Sequence, residues 1–144
     1  MRNLNSQINT MFNETIYRIE ADNGSRIKKF TIRFTKSNQK YSPEHLEALL
    51  GSYEKAIREV PRQFLRIEKT ARQKYLVPLD EERRRELLKV MTDHVEMLVE
   101  KMNRKYRDIF KSQKRLEEFD SRIKDTLMAG RQRIDNETRK VSES

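Results

Sequence analysis

From Leu79 to about Lys140 apolar residues return in steps of three and four, with lapses: Leu88, Met91, Val95, Leu98, Met102, then Ile109, Leu116 and Ile123. About five heptads of this spacing predict a very long helix whose apolar seam needs a partner. Wholly helical, the stretch would be about 90 Å long, wider than any small globular domain. A second run is cleaner. Leu46, Leu50, Tyr53, Ile57, Val60, Phe64, Ile67 and Ala71 repeat in fours and threes without a lapse, and Ser42-Pro43-Glu44 opens the run with a cap, a first-position proline and an acid in the first turn. Pro61 lies inside it and predicts a kink, at a cost of about 3 kcal/mol if the helix stays continuous. Pro78 ends this helix, and Asp80 caps the next with Glu81 and Glu82 in its first turn.

Two long helices joined by a tight turn fold back on one another. The shorter arm, about 50 Å long, covers the longer one only to about residue 113. Beyond it Leu116, Phe119, Ile123, Leu127 and Ile134 continue an apolar stripe that would face water, which predicts a homodimer or another protein subunit along residues 110–135. The composition agrees with extended helices: 35% of the 144 residues are hydrophobic and 38% charged, too polar for a compact globule.

The first 41 residues read differently. Leu4, Ile8, Met11 and Phe12 predict a helix over residues 4–12, while residues 13–22 read equally as helix or as the first arm of a hairpin turning at Asn23-Gly24. Phe30, Ile32 and Phe34 alternate with Thr31, Arg33 and Thr35, the period of a strand. The expected fold is therefore mainly α: an elongated antiparallel helical hairpin or coiled coil with a small N-terminal β element. Its segments are 1–41 (helix, strand and basic segment), 42–77 (first long helix), 78–140 (second, very long helix) and 141–144 (disordered tail).

Net charge is +9, and residues 26–40 carry +6 of it in Arg26, Lys28, Lys29, Arg33, Lys36 and Lys40, with no acid between them. Residues 79–144 nearly cancel, with seventeen basic and fifteen acidic side chains. A concentrated basic segment is suited to phosphate backbones or acidic surfaces. Arg58, Arg62, Arg66 and Lys69 follow one another by three or four and form a ridge beside the apolar seam. Arg83, Arg84 and Arg85 sit beside an acidic helix start and should be neutralised there, whereas Arg104, Lys105, Arg107, Lys111, Lys114 and Arg115 have only Asp108 nearby. If Phe30, Ile32 and Phe34 face a core, Thr31, Arg33 and Thr35 point outward together, as a ribbon suited to a major groove does. FTIRFT followed by a helix resembles the ribbon of ribbon-helix-helix DNA-binding proteins over about a dozen residues. It departs from that family in its SNQKY loop, its N-terminal extension and the absence of a turn between two short helices.

No catalytic constellation emerges. The chain has no cysteine, three glycines that form no phosphate loop, and two histidines, His45 and His94, too far apart in sequence for a metal motif. Asp80-Glu81-Glu82 reads as helix capping and Glu117-Glu118 as a solvated face. No cofactor, metal or enzymatic activity is expected. The N-terminus lacks the apolar segment of a signal peptide and no run reaches 18 apolar residues, so the expected setting is cytoplasmic, or associated with a nucleoid or virion, without a membrane span and not secreted. The expected function is non-enzymatic nucleic-acid binding by a coiled-coil dimer, through Arg26, Lys28, Lys29, Thr31, Arg33, Thr35, Lys36 and Lys40 with Arg58, Arg62, Arg66 and Lys69. The alternative is a structural or adaptor subunit, viral or of mobile-element origin, whose hairpin docks on other proteins.

Overall fold

The computed structural model describes residues 2–143. It holds four helices: α1 (Arg2–Lys36), α2 (Pro43–Tyr75), α3 (Glu81–Ser112) and α4 (Leu116–Glu143). Each connection reverses the chain. Helices α1, α3 and α4 all pack on α2, and α3 and α4 pack on each other. At 1.5 Å per residue the bundle is about 50 Å long. Ser144, the last residue of the expected disordered tail, lies outside the described residues, and α4 runs to Glu143.

The two helix starts read from sequence are present. Ser42 accepts a bond from the His45 N–H at 3.2 Å with Pro43 behind it, and Asp80 accepts from the Arg83 N–H at 2.7 Å. Helix α2 runs unbroken through Pro61, which is buried. The hairpin of α2 and α3 is also as expected, with Phe64, Met91, Leu98 and Met102 in a common core.

The N-terminal β element is absent: no strand occurs among the described residues, and α1 passes straight through Asn23-Gly24. The reason lies in the polar residues of its inner face. Leu4, Ile8, Phe12, Ile16 and Ile19 are buried, the stripe continues through Asn23 and Arg26, and half-buried Ile27, Phe30 and Phe34 complete it. Asn23 accepts from the Ser52 hydroxyl of α2, and Arg26 donates to the same hydroxyl and to the Ser52 carbonyl, each at 3.2 Å. With those partners the inner face stays intact across the apparent turn, and packing against α2 overrides the β-propensity of FTIRFT. As a helix, 28–36 cannot be the ribbon of a ribbon-helix-helix protein.

The second correction is a break in the expected 78–140 helix. Gln113, Lys114 and Arg115 form a turn, and α4 folds back along α3 and α2. All three connections use one device, a left-handed residue just past the helix end with a six-to-one bond closing over it. The residues are Asn38, Leu76 and Lys114, with φ of 60°, 54° and 58°. The closing bonds are Gln39 N–H to Phe34 O at 2.7 Å, Val77 N–H to Arg72 O at 3.1 Å and Arg115 N–H to Phe110 O at 2.8 Å. None of the three glycines is used this way; all are inside helices.

Because α4 returns, the stripe past residue 113 is covered by its own chain. Phe119, Ile123 and Ile134 are buried, Leu116 and Leu127 pack half-buried on the same core, and Phe119 meets Phe110 across the turn with ring centres 4.7 Å apart. The uncovered seam that called for a second subunit does not exist in this fold.

A buried ionic cluster ties α1, α2 and α3 together. Glu68, 1% exposed at its side chain, accepts from Arg72 Nε at 2.8 Å and from two nitrogens of Arg83, both at 2.9 Å. Arg83 is also 1% exposed, donates to Asn9 of α1 at 3.1 Å, and brings NH1 to 3.0 Å from Glu86 Oε1 outside hydrogen-bond alignment. Burial alone would lower the Arg83 pKa; the hydrogen bonds and charge of Glu68, then the charge of Glu86, outweigh it and leave it raised.

Two outcomes follow for stability. Glu68→Leu removes the anion shared by buried Arg72 and Arg83, leaving Arg83 only the exposed Glu86, and is expected to cost about 3–5 kcal/mol in urea unfolding; a cost under 1 kcal/mol would show the cluster to be incidental. Lys114→Gly removes a left-handed side-chain penalty and is expected to stabilise by about 1 kcal/mol, visible as a raised urea midpoint at unchanged slope.

Candidate nucleic-acid interface

The second half of α2 has one face free of packing, and its exposed charges there are all positive. Lys55, Arg58, Arg62, Arg66, Lys69 and Lys74 are exposed. The acids of the same stretch are withdrawn: Glu68 is in the buried cluster, and Glu59 is held by Gln63 at 2.6 Å and Arg62 at 3.0 Å. The Gln63 bond is the largest cause of a lowered Glu59 pKa, burial opposes it, and the Arg62 charge adds to it.

Helix α4 brings further cations to this ridge. A depression of about 370 Å³ between the helices is lined by Arg62, Arg66 and Lys69 of α2 and by Arg133 and Lys140 of α4, with Glu137 the one carboxylate in its wall. A neighbouring depression of about 400 Å³ shares Arg133 and adds Arg58 and Pro61, with two carboxylates, Glu54 and Asp125, in its wall; together the two form one groove along α2. Arg122, at the far end, is already committed: it is bound by Glu47 and Glu54. Glu137 is engaged by Lys140 at 3.6 Å.

The other predicted residues lie elsewhere. Lys28, Lys29, Arg33, Lys36 and Lys40 are exposed at the α1–α2 turn, while Arg26 is folded onto Ser52. Thr31, Arg33 and Thr35 do not point outward together. In a helix Thr31 and Thr35 share a face with Arg33 turned away; Thr31 contacts His45 at 3.2 Å, and Thr35 donates to the Thr31 carbonyl at 2.7 Å. The turn is about 20 Å or more from the Arg58–Lys69 ridge along α2, so the two groups do not form one surface.

Of the remaining basic clusters, Arg83 is buried, Arg84 binds Asp135 at 2.7 Å, and Arg85 lies 3.8 Å from Glu81. Arg104, Arg107 and Arg115 pair with Glu100, Asp120 and Glu118 at 2.6, 2.8 and 2.9 Å. Arg133 and Lys140 were passed over by sequence reasoning, because only the break at Gln113–Arg115 turns α4 back beside α2. The signal that could have found it is Glu117-Glu118, which sits in the first turn of a new helix.

His45 is not a surface residue but the hub of the α1–α2 turn, 1% exposed. Its Nδ1 accepts from the Tyr41 N–H at 2.8 Å, which leaves Nε2 to donate to Thr31 Oγ1, and its ring stacks on Phe34 and Tyr41. Burial, then the charge of Lys40, lowers its pKa. His94, edge-on to Phe64 at 5.4 Å, is also lowered by burial, against the opposing charges of Asp93 and Glu20. No group of three or more potential metal ligands occurs among the described residues, and no helix among them is long and apolar enough to cross a membrane.

Fold and surface together define an all-α antiparallel bundle with a cationic groove on one face. No protein-family model, curated protein or solved structure matches the chain.

The histidines set a pH dependence. Both folded pKa values lie below the ordinary 6.5, so the unfolded chain binds more protons, and stability complete above about pH 6.5 falls as pH drops toward the folded values. The urea midpoint should decline between pH 7 and 5.5, and less so in His45→Gln plus His94→Gln; equal declines would exclude the histidines as the cause.

Proposed function

We propose that this chain is a non-enzymatic nucleic-acid-binding protein that holds a phosphate backbone in the groove between α2 and α4. The observation that carries the reading is the convergence of Arg62, Arg66 and Lys69 with Arg133 and Lys140 on one depression. Exposed helix faces that serve only solubility mix both signs, and α3 does so here: Glu96, Glu100 and Asp108 alternate with Lys101, Arg104 and Lys105 on its exposed surface. From Lys55 to Lys74 the outer face of α2 has no such mixture.

The spacing also suits a polyanion. Arg58 to Lys69 spans about 17 Å at 1.5 Å per residue, a length that meets several successive phosphates and no single small anion. Helical side chains placed this way grip the backbone and leave base identity unread, so affinity should be electrostatic and tolerant of sequence. The basic turn at Lys28–Lys40 lies apart from the groove and is not needed for the core contact.

Five phosphate contacts give a slope of log K against log[salt] of about −4.5 on duplex DNA and about −3.5 on a single strand. Fluorescence anisotropy with a labelled 20-mer at 50–200 mM salt should return one of these values. Arg66→Glu plus Lys69→Glu should weaken binding at least tenfold and flatten the slope by about 2. Lys28→Glu plus Arg33→Glu should have the smaller effect. Salt-insensitive binding, no binding, or a larger loss from the α1 pair would overturn the reading.

A further inference from the structure

A second surface, on α1 and α3, has a different chemistry. Between them, floored by Leu49 and Tyr53 of α2, runs an open groove of about 740 Å³. Its apolar lining includes Ile27 and Ile32 of α1 and Leu98 and Tyr106 of α3. Two large apolar side chains stand open along it, Tyr17 at 74% exposure and Ile32 at 47%. Four lysines line it: Lys28 and Lys40 from the α1–α2 side, Lys101 and Lys105 from α3. Its one carboxylate, Glu20, is bound by Lys101 at 2.8 Å. Burial, then the neighbouring Tyr106 and Glu20 charges, raises the Tyr53 pKa to about 12 against a hydrogen bond from Asn23, so its phenol adds no negative charge at neutral pH.

We infer that this groove docks an amphipathic helix with acidic flanks from a partner protein. An apolar floor with a cationic rim is complementary to an apolar stripe bordered by Asp and Glu. The walls are continuous helices whose backbone groups are bonded internally, so an extended peptide finds no edge to pair with; a helix contacts such walls through side chains alone. The stretch from Tyr17 to Ile32 is about 22 Å long, four turns of a docked helix.

A nucleic acid fits less well. Base stacking along a strand needs a succession of free aromatic faces, and here only Tyr17 offers one: Tyr53 is buried, Tyr106 is half-buried and edge-on to Tyr53 at 5.8 Å, and Tyr41 stacks on His45 at 5.5 Å with the Lys40 ammonium 5.2 Å from its ring centre. This docking is independent of the α2–α4 groove and stands or falls separately.

The test uses the full chain and two labelled 18-residue helical peptides that share a leucine stripe, one flanked by glutamates and one by lysines. The acidic peptide should bind at least tenfold more tightly in anisotropy at 150 mM salt. Lys28→Glu plus Lys105→Glu should reverse that preference, and Ile32→Glu, at an exposed position that leaves the core intact, should weaken the acidic peptide at least fivefold. Hydrogen exchange should slow in residues 17–32 and 98–106 when the peptide is added. Equal binding of both peptides, no binding of the acidic peptide at 1 mM, or protection elsewhere would overturn the inference. So would displacement of the peptide by a 20-mer whose own binding is lost in Lys28→Glu plus Lys105→Glu, which would make the groove a nucleic-acid site.

Discussion

The Glu68 carboxylate is the constraint on which the arrangement of the first three helices depends. A carboxylate buried this deeply is tolerable only with its charge matched and its lone pairs filled, and here two arginines do both. Arg72 reaches it from one turn along α2, and Arg83 reaches it from the first turn of α3. Arg83 then binds Asn9, and Arg72 binds Asn5, so α1 is joined to the same point. Apolar packing between helices tolerates small slides; a bidentate charge pair does not. The cluster therefore sets the register of α1 and α3 on α2, near the turn where Leu76 takes its left-handed conformation.

That register fixes which face of α2 remains open. Helix α1 covers one side, through Phe12 stacked on Phe64 at 4.3 Å and through Asn23 and Arg26 on Ser52. Helices α3 and α4 cover the others, α4 being fastened by Arg122 to Glu47 and Glu54 and by Thr126 to Glu54 at 3.3 Å. The strip left over is the one bearing Arg58, Arg62, Arg66 and Lys69. Its acids are drawn off by the same contacts: Glu54 belongs to the α2–α4 fastening and Glu68 to the buried cluster. The positive face is in this sense a by-product of how the bundle is held together.

The sequence made the α2–α3 hairpin legible because its signals are local: a capped start at Ser42-Pro43, a stop at Pro78, a cap at Asp80, and an unbroken apolar phase between. It concealed α1 because Asn23 and Arg26 lie on the inner face. A polar pair on a helical stripe looks like a turn until the Ser52 that receives it is known, and Gly24 beside it completes the disguise. It concealed the α3–α4 turn for the opposite reason. Lys114 adopts a conformation for which glycine is the usual signal, while the apolar spacing on either side of it continues as though one helix ran through. The candidate groove inherited this second gap. The α2 half of it is a ridge of i, i+3 and i+4 steps and can be read directly, but Arg133 and Lys140 are more than sixty residues away in sequence and belong to it only because the chain reverses at Lys114.

The reversal also changes what the long helical stretch is for. As one rod it would have been a spacer that needed a second copy to cover Phe119, Ile123 and Ile134. Folded back, it buries those residues and contributes charge to α2, so the two grooves of the bundle end up on different sides with different linings. One is lined mainly by arginines and lysines, with Leu65 and Pro61 between them; the other has an apolar floor under flexible lysines. Arginine's planar fork holds phosphate oxygens in defined directions, whereas a lysine rim over apolar surface attracts an acidic partner and leaves the fit to side-chain packing. A polyanion gains most at the first, and an acidic helix with a stripe of its own to bury gains most at the second. The two proposed sites, lying on different sides of the bundle, would let a protein and a nucleic acid bind together without either displacing the other.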